Sequence, residues 1–498
     1  MRGGLMVCGT ASDVGKSHVV AGLCRVLHRQ GVSVAPFKAQ NMANNSYVTP
    51  SGHEIGRAQG IQAVAAGAVP EVAMNPILLK PTGERTSQVV VMGRPLAHLD
   101  AAAYQAEKPR LFDVVLDALA DLRRRFDVVV IEGAGSPAEI NLLHSELVNL
   151  RLAAAAGVPA IVVGDIDRGG VFAAFYGTVA LLPDDLRALV RGFVVNKFRG
   201  DPALLADGPA ELERRCGVPT LGVLPYLHGV SLDAEDSLAL PAAGRAPAAA
   251  GSALDVAVVR FPRIANFTDL DPLSVEPGVG VRFVDRPAAL GRPDLVVLPG
   301  TKATVPDLEW LRGRGLDRAI LDCGAAVLGI CGGYQMMGRT IVDDVESDRG
   351  LVEGLGWLDA ETVFEPTKIT RQRRGVALHQ RVAGYQIHHG RVTGSDPWIR
   401  LDDAYGAHPE GSVRNRMFGT TMHGILEEDG FRGAFLREIS PAFVTGGGSF
   451  AAAREAQLDR LADMLEAHLD LAAVERLITS ASPAGAATST PKEGVPAP

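Results

Sequence analysis

The pentapeptide Gly329-Ile330-Cys331-Gly332-Gly333 limits the folds open to this chain more than any other stretch. A short apolar run, residues 325–330, precedes it and reads as a buried strand, and the residues through Met336 and Met337 read as a helix. G-x-C-G-G between a strand and a helix is the cysteine form of a nucleophile elbow. The turn is too tight for side chains beside the nucleophile, hence glycine on both flanks. The Cys331 sulfur is then presented at a helix N-terminus, where the dipole favours thiolate. The backbone N–H of Gly332 is placed to bind an oxyanion. A buried cysteine in an ordinary strand-turn-helix is the competing possibility, which the flanking glycines disfavour.

A second glycine loop opens the chain. Residues 5–8 form a short apolar strand, followed by Gly9-Thr10-Ala11-Ser12-Asp13-Val14-Gly15-Lys16-Ser17 and a helix over 18–30. Strand, glycine loop, G-K-S and helix make a P-loop context. Backbone N–H groups from Gly9, Thr10 and Gly15 can cradle phosphates, Lys16 can reach the terminal phosphates, and Ser17 can bind Mg²⁺. Five residues separate Gly9 from Gly15, one more than the usual pattern.

Further apolar runs alternate with helical ones. Residues 32–37 are a strand ending at Lys38, 54–68 have helical character, and 126–131 are a core strand ending at Glu132. A carboxylate at the C-terminal edge of such a strand lies where open α/β sheets bind ligands, which makes Glu132 a candidate for Mg²⁺ or its water shell, or else a helix cap. Residues 158–163 end at Asp165, Asp167 and Arg168 beside glycines, a charged ligand loop or a self-satisfied turn. Residues 189–195 end at Asn196, whose amide can read a base edge or shape a turn, and 221–224 follow. Strands alternating with helices predict a parallel, doubly wound sheet over residues 1–240.

Composition excludes several classes. The 498 residues suit two or three domains, with 47% hydrophobic and 21% charged residues, as in globular proteins. A net charge of -8 and 5% aromatics leave no electrostatic case for nucleic acid or an anionic membrane. Cys8, Cys24, Cys216, Cys323 and Cys331 are odd in number and irregularly spaced, against a disulfide framework or a zinc site. No apolar run reaches membrane-spanning length, and the N-terminus reads as a first strand, not a signal peptide. A cytoplasmic protein is expected.

Residues 241–252 read as a linker, and strand patterning restarts over 255–259. Residues 295–298 form a strand ending at Pro299-Gly300-Thr301-Lys302, whose N–H groups can complete the oxyanion hole. Cys331 needs a base. His423 sits at the exit of the strand 418–422 and can take the thiol proton and return one to leaving ammonia; His388 and His389 compete for the role. The second domain spans 253–445. Residues 446–449 break the chain, 450–478 have helical spacing with Leu458, Leu461, Leu465, Leu469 and Leu471 near one face, and 479–498 have a disordered composition.

Long strings unite these pieces: Pro36-Phe37-Lys38-Ala39-Gln40-Asn41-Met42, Met74-Asn75-Pro76-Ile77-Leu78-Leu79-Lys80-Pro81, the run from Glu132 to Leu142, the run from Asp165 to Phe172, Asn196 to Asp201, and Arg260 to Asp269. In this order they resemble the cobyric acid synthase family, glutamine-dependent amidotransferases of cobalamin synthesis, over residues 5 to about 440. The resemblance implies an α/β chain of two doubly wound domains, P-loop NTPase-like and then class I glutamine amidotransferase-like. It implies Cys331 as nucleophile and His423 as base, and ATP with Mg²⁺ as cofactors. It implies L-glutamine and adenosylcobyrinic acid a,c-diamide as substrates, with the b, d, e and g carboxylates amidated to give cobyric acid. Lys16, Ser17, Lys38, Asn196 and Glu132 would serve the nucleotide, while Asp165, Arg168, Arg199 and Arg263 are plausible corrinoid contacts or surface ion pairs. Class I enzymes usually carry Glu two residues after the histidine; here that position is Ile425, and Glu427 is the nearest carboxylate. Two alternatives share part of this plan: cobyrinic acid a,c-diamide synthase, and a partition-type P-loop ATPase.

Overall fold

The computed structural model describes all residues except 84, 206, 231–232, 234–252, 404–405 and 482–498. The expected linker 241–252 and the tail from 482 therefore lie outside the described residues.

Six strands build the first sheet, in the order Thr220–Pro225, Val190–Phe198, Ala160–Asp165, Gly3–Gly9, Val128–Glu132, Val34–Phe37. Every neighbouring pair is parallel. Runs such as Val128-Val129-Val130-Ile131 stay apolar because both faces are covered. Alternation sorts them: from Gly3–Gly9, Met6 and Cys8 enter one core while Leu5 and Val7 enter the other. Helices Ala101–Arg125 and Val171–Leu181 cover the first core, and Lys16–Arg29 covers the second.

That second core is finished from the far end of the chain. The expected helical stretch 450–478 forms two helices, Phe450–His468 and Leu471–Thr479. Leu458, Leu461 and Leu465 pack with Val19, Val20 and Leu23. Along the seam Arg25 pairs with Glu455 and Asp459, and Arg29 with Asp459 and Asp463.

Two features depart from the sequence reading. The helix expected over 54–68 begins as a strand, Glu54–Gly56, paired with Ser46–Val48, and the helix proper is Arg57–Ala65. Glu54 is drawn into the hairpin because Lys80 and Lys368 satisfy its buried carboxylate there. A four-stranded side sheet, Gln40–Met42, Ile77–Pro81, Thr86–Val91 and Arg94–Asp100, was also unforeseen.

The second domain has its own six-stranded sheet, in the order Val279–Val284, Leu254–Val259, Leu295–Leu298, Ala326–Ile330, Met417–Thr420, Ser412–Arg414. It is parallel but for the last, antiparallel edge pair. A further sheet is dominated by the hairpin Ala360–Ala377 and Gln380–Gly394, whose Tyr385 bridges to His423 just past the strand Met417–Thr420. Val48 of the first domain packs on Tyr385 and Ile387 of that hairpin, so the domains meet beside the elbow. No described helix is long and apolar enough to cross a membrane.

Candidate functional site

The elbow is as tight as its glycines imply. Cys331 ends the strand Ala326–Ile330 with φ 50° and ψ -109°, a conformation that non-glycine residues hold only when neighbours enforce it. A Cβ on Gly333 would stand 1.9 Å from the Leu298 carbonyl oxygen. One on Gly332 would stand 2.7 Å from Thr301 Cγ2, and one on Gly329 would stand 2.5 Å from the Met337 sulfur. The exit of Leu295–Leu298 and the Gly300–Thr301 turn are thus pressed against the elbow, and the Thr301 backbone nitrogen lies 3.1 Å from where a Cβ on Gly332 would stand.

His423 follows the strand Met417–Thr420 and is 1% exposed. Its Nδ1 donates to Asp269 Oδ2 at 2.7 Å, and the other Asp269 oxygen accepts from the Gly424 N–H at 2.8 Å. Its Nε2 faces Cys331 and lies 3.3 Å from Asn266 Nδ2. Burial opposes the imidazolium, but Asp269 and the facing Cys331 sulfur outweigh it and push the pKa up to about 10. The Tyr385 ring stacks on the imidazole with centroids 5.2 Å apart. Cys331, His423 and Asp269 can therefore form a thiolate–imidazolium pair held by a carboxylate.

The competing groups are engaged elsewhere. His388 Nδ1 donates to the Gly390 carbonyl at 2.7 Å, and burial pushes its pKa down to about 3. His389 Nδ1 donates to the Glu365 carbonyl at 3.0 Å. Burial raises the Cys8 and Cys24 thiols far above the usual range, as in core residues. Glu427 does not orient His423: Arg57 holds it at 2.9 Å and Arg454 at 3.1 Å.

At the first sheet the P-loop joins four strand ends. The Thr10 N–H donates to Val163 at 2.9 Å, and Lys16 Nζ lies across the loop, 2.9 Å from the Ala11 carbonyl and 3.3 Å from that of Gly135. Gly15 has φ 102°, and a Cβ there would meet Asn196 Nδ2 at 2.1 Å. Ser17 Oγ and Lys38 Nζ both donate to Glu132 Oε1 at 2.9 Å, and Gln62 Nε2 donates to Oε2 at 2.5 Å. A hydroxyl beside a buried carboxylate is a hard-oxygen donor set that fits Mg²⁺ carried by phosphates. Asn196 Nδ2 donates to the Val14 carbonyl at 2.8 Å, so this side of its amide braces the loop.

Comparison with known proteins sharpens this. Residues 5–239 match the CobQ/CobB/MinD/ParA nucleotide binding domain, and residues 255–431 match the CobB/CobQ-like glutamine amidotransferase domain. The chain is 52% identical to the cobyric acid synthase of Nocardia farcinica, over 97% of this chain and 98% of that one. It is 53% identical to that of Streptomyces coelicolor over the same shares, and 52% identical to that of Rhodococcus jostii over 97% of each. The chain belongs to the cobyric acid synthase family. It is a glutamine amidotransferase ligase of cobalamin biosynthesis whose first domain uses ATP. Among solved structures, a glutamine amidotransferase is 15% identical over 38% of this chain and 99% of that one, with a TM-score of 0.30.

Seen in this member of the cobyric acid synthase family, the expected site residues fall into three groups. Cys331, Gly332, Gly300, Thr301 and His423 lie together at one sheet edge. Gly9, Thr10, Gly15, Lys16, Ser17, Lys38, Glu132 and Asn196 lie together at the other. The expected corrinoid contacts are engaged with groups of the protein itself. Asp165 accepts from Lys197 at 2.8 Å beside the P-loop, Arg168 is an exposed partner of Asp165 at 3.5 Å, and Arg263 crosses to the Gly83 carbonyl at 3.3 Å. Arg199 pairs with Asp167 at 2.8 Å and covers the Tyr226 ring. Sequence reasoning did not single out Asp269, Asn266 or Tyr385. The first two lie inside the string Arg260 to Asp269, whose unusual density of polar groups between apolar ones was the available signal.

Proposed function

We propose that this chain amidates the b, d, e and g carboxylates of adenosylcobyrinic acid a,c-diamide, with ammonia released from glutamine at Cys331. His423 takes the thiol proton, and the thiolate attacks the glutamine amide carbon. The oxyanion is received by the N–H groups of Gly332 and Thr301. His423 returns the proton to nitrogen, ammonia departs, and water cleaves the thioester to glutamate, restoring the thiol. Asp269 keeps the imidazole in the tautomer and charge state this exchange needs. The observation that carries the assignment is the bond from His423 to Asp269 beside the elbow.

In the first domain the P-loop N–H groups and Lys16 hold the triphosphate for in-line transfer to a substrate carboxylate. Ser17 and Glu132 are the groups suited to hold Mg²⁺, which when bound offsets phosphate charge. Lys38 and Gln62 fix the Glu132 carboxylate. Ammonia then displaces phosphate from the acyl phosphate. A carboxylate is a poor electrophile, and free ammonia is mostly protonated at neutral pH, so the two half-reactions must be coupled.

The test follows the mass of the corrinoid with ATP, Mg²⁺ and amide-labelled glutamine or ammonium salt. Cys331→Ala is expected to lose glutamine-driven amidation by roughly 10³-fold or more while ammonium still supports the reaction. Lys16→Ala is expected to impair both. Glutaminase activity surviving in Cys331→Ala would remove the nucleophile, and an unchanged Lys16→Ala would remove the P-loop.

A further inference from the structure

The pocket over Cys331 is not built by the amidotransferase domain alone. Lys80, from the strand Ile77–Pro81 of the first domain, lines it with Lys302, Lys368, Glu346 and His388. Cys331 and His423 lie in the same pocket and define its reacting side. The ammonium and carboxylate groups supply what the other end of an amino acid requires.

Around Glu54 the charges are unequal. Its Oε1 accepts from Lys80 at 2.5 Å and its Oε2 from Lys368 at 2.6 Å, so two ammonium groups share one carboxylate. Lys302 has its own partner in Glu346. Lys80 also donates to Ser46 Oγ at 2.8 Å. Those two bonds fix the amine, and an ammonium has three donors, so one N–H remains for a ligand. Burial, with Lys368 and Lys302 close by, lowers the Lys80 pKa to about 8 despite Glu54, and an arriving carboxylate would raise it again and hold the ammonium form. An acceptor is present too. His388 is 7% exposed, its Nδ1 is committed to Gly390, and its Nε2 has no partner among the described residues.

We propose that Lys80 binds the α-carboxylate of glutamine, with His388 Nε2 accepting from the α-ammonium group, so that the glutamine site is shared by both domains. The assignment rests on glutamine binding over Cys331. It makes the nucleotide-binding domain a structural part of the glutaminase.

Steady-state kinetics on the full chain test it, with glutamine, with its decarboxylated analogue 4-aminobutanamide, and with ammonium salt. Lys80→Met is expected to raise the KM for glutamine roughly ten- to hundredfold, with no change for the analogue or for ammonium-driven amidation. A glutamine KM within twofold of the parent, or an equal loss with ammonium, would overturn the proposal. Lys80→Arg keeps the charge and the contact to Glu54, and it serves if the methionine variant does not fold. Its expected KM rise is several-fold for glutamine and none for the analogue, and equal effects on both would overturn the proposal. Because the readout compares two substrates at one nucleophile, it fails separately from the Cys331 assignment, which Cys331→Ala decides.

Discussion

The His423 imidazole is held toward its protonated form because Asp269 and Cys331 face it in the protein interior. Its pKa in the folded chain, about 10, exceeds the value of roughly 6.5 for a free imidazole. The stabilisation from this pairing is therefore complete below about pH 6.5, shrinks as pH rises, and is gone above about pH 10. Asp269→Asn removes the carboxylate and leaves the burial that opposes charge. Glutamine-driven amidation is expected to fall roughly 10²-fold or more, with its alkaline limb moved to lower pH, while ammonium-driven amidation holds. A parallel loss in both branches would reduce Asp269 to a folding residue. The elbow at Cys331 was legible from sequence because its signal is local: glycines at fixed offsets from one cysteine. Asp269 was not, since it lies 154 residues from His423 and only the fold joins them. Glu427, near His423 in sequence, is turned away by two arginines.

Among the elements, the elbow has least room. Gly333→Ala would set a methyl group against the Leu298 carbonyl, where the ideal position is 1.9 Å from oxygen. Backbone must move, and the movement falls on Cys331 and its oxyanion donors. A glutaminase loss of at least tenfold, with ammonium-driven amidation kept, is the expected result in the same mass assay. Full glutaminase activity would show that the strand Leu295–Leu298 can yield. Both parallel sheets were legible, because Val- and Ile-rich runs ending at glycine loops have few other folds. The hairpin Ala360–Ala377 and Gln380–Gly394 was not. It carries Lys368, Arg371, Arg373 and Arg374, charged positions that blur a period of two, and Lys368 is answered by Glu54 of the first domain. The Glu54–Gly56 strand failed for the same reason: Glu54 favours a helix by propensity, and distant lysines decide otherwise.

Across the whole molecule, chain order and spatial order diverge. Arg57 of the first domain, Asp233, Glu427 of the second and Arg454 of the C-terminal helix meet in one partly buried cluster, with Arg57 at 2.6 Å and Arg454 at 2.7 Å from Asp233. The helix Phe450–His468 then lies on the P-loop helix Lys16–Arg29. Leu465 is fully buried there, and Leu465→Ala is expected to cost about 2–5 kcal/mol of stability. Thermal unfolding should show the loss, with ATP protecting the variant against it. A variant as stable as the parent would mean that the helix is merely lodged on the surface. The same packing governs the order of birth on the ribosome. When the strand Thr220–Pro225 leaves the exit tunnel, the nucleotide-binding core still lacks one wall, and that wall is translated only after the amidotransferase segment. A message truncated after the amidotransferase segment would not yield a half-enzyme. It would release a polypeptide with an open apolar flank, prone to chaperone capture and proteolysis.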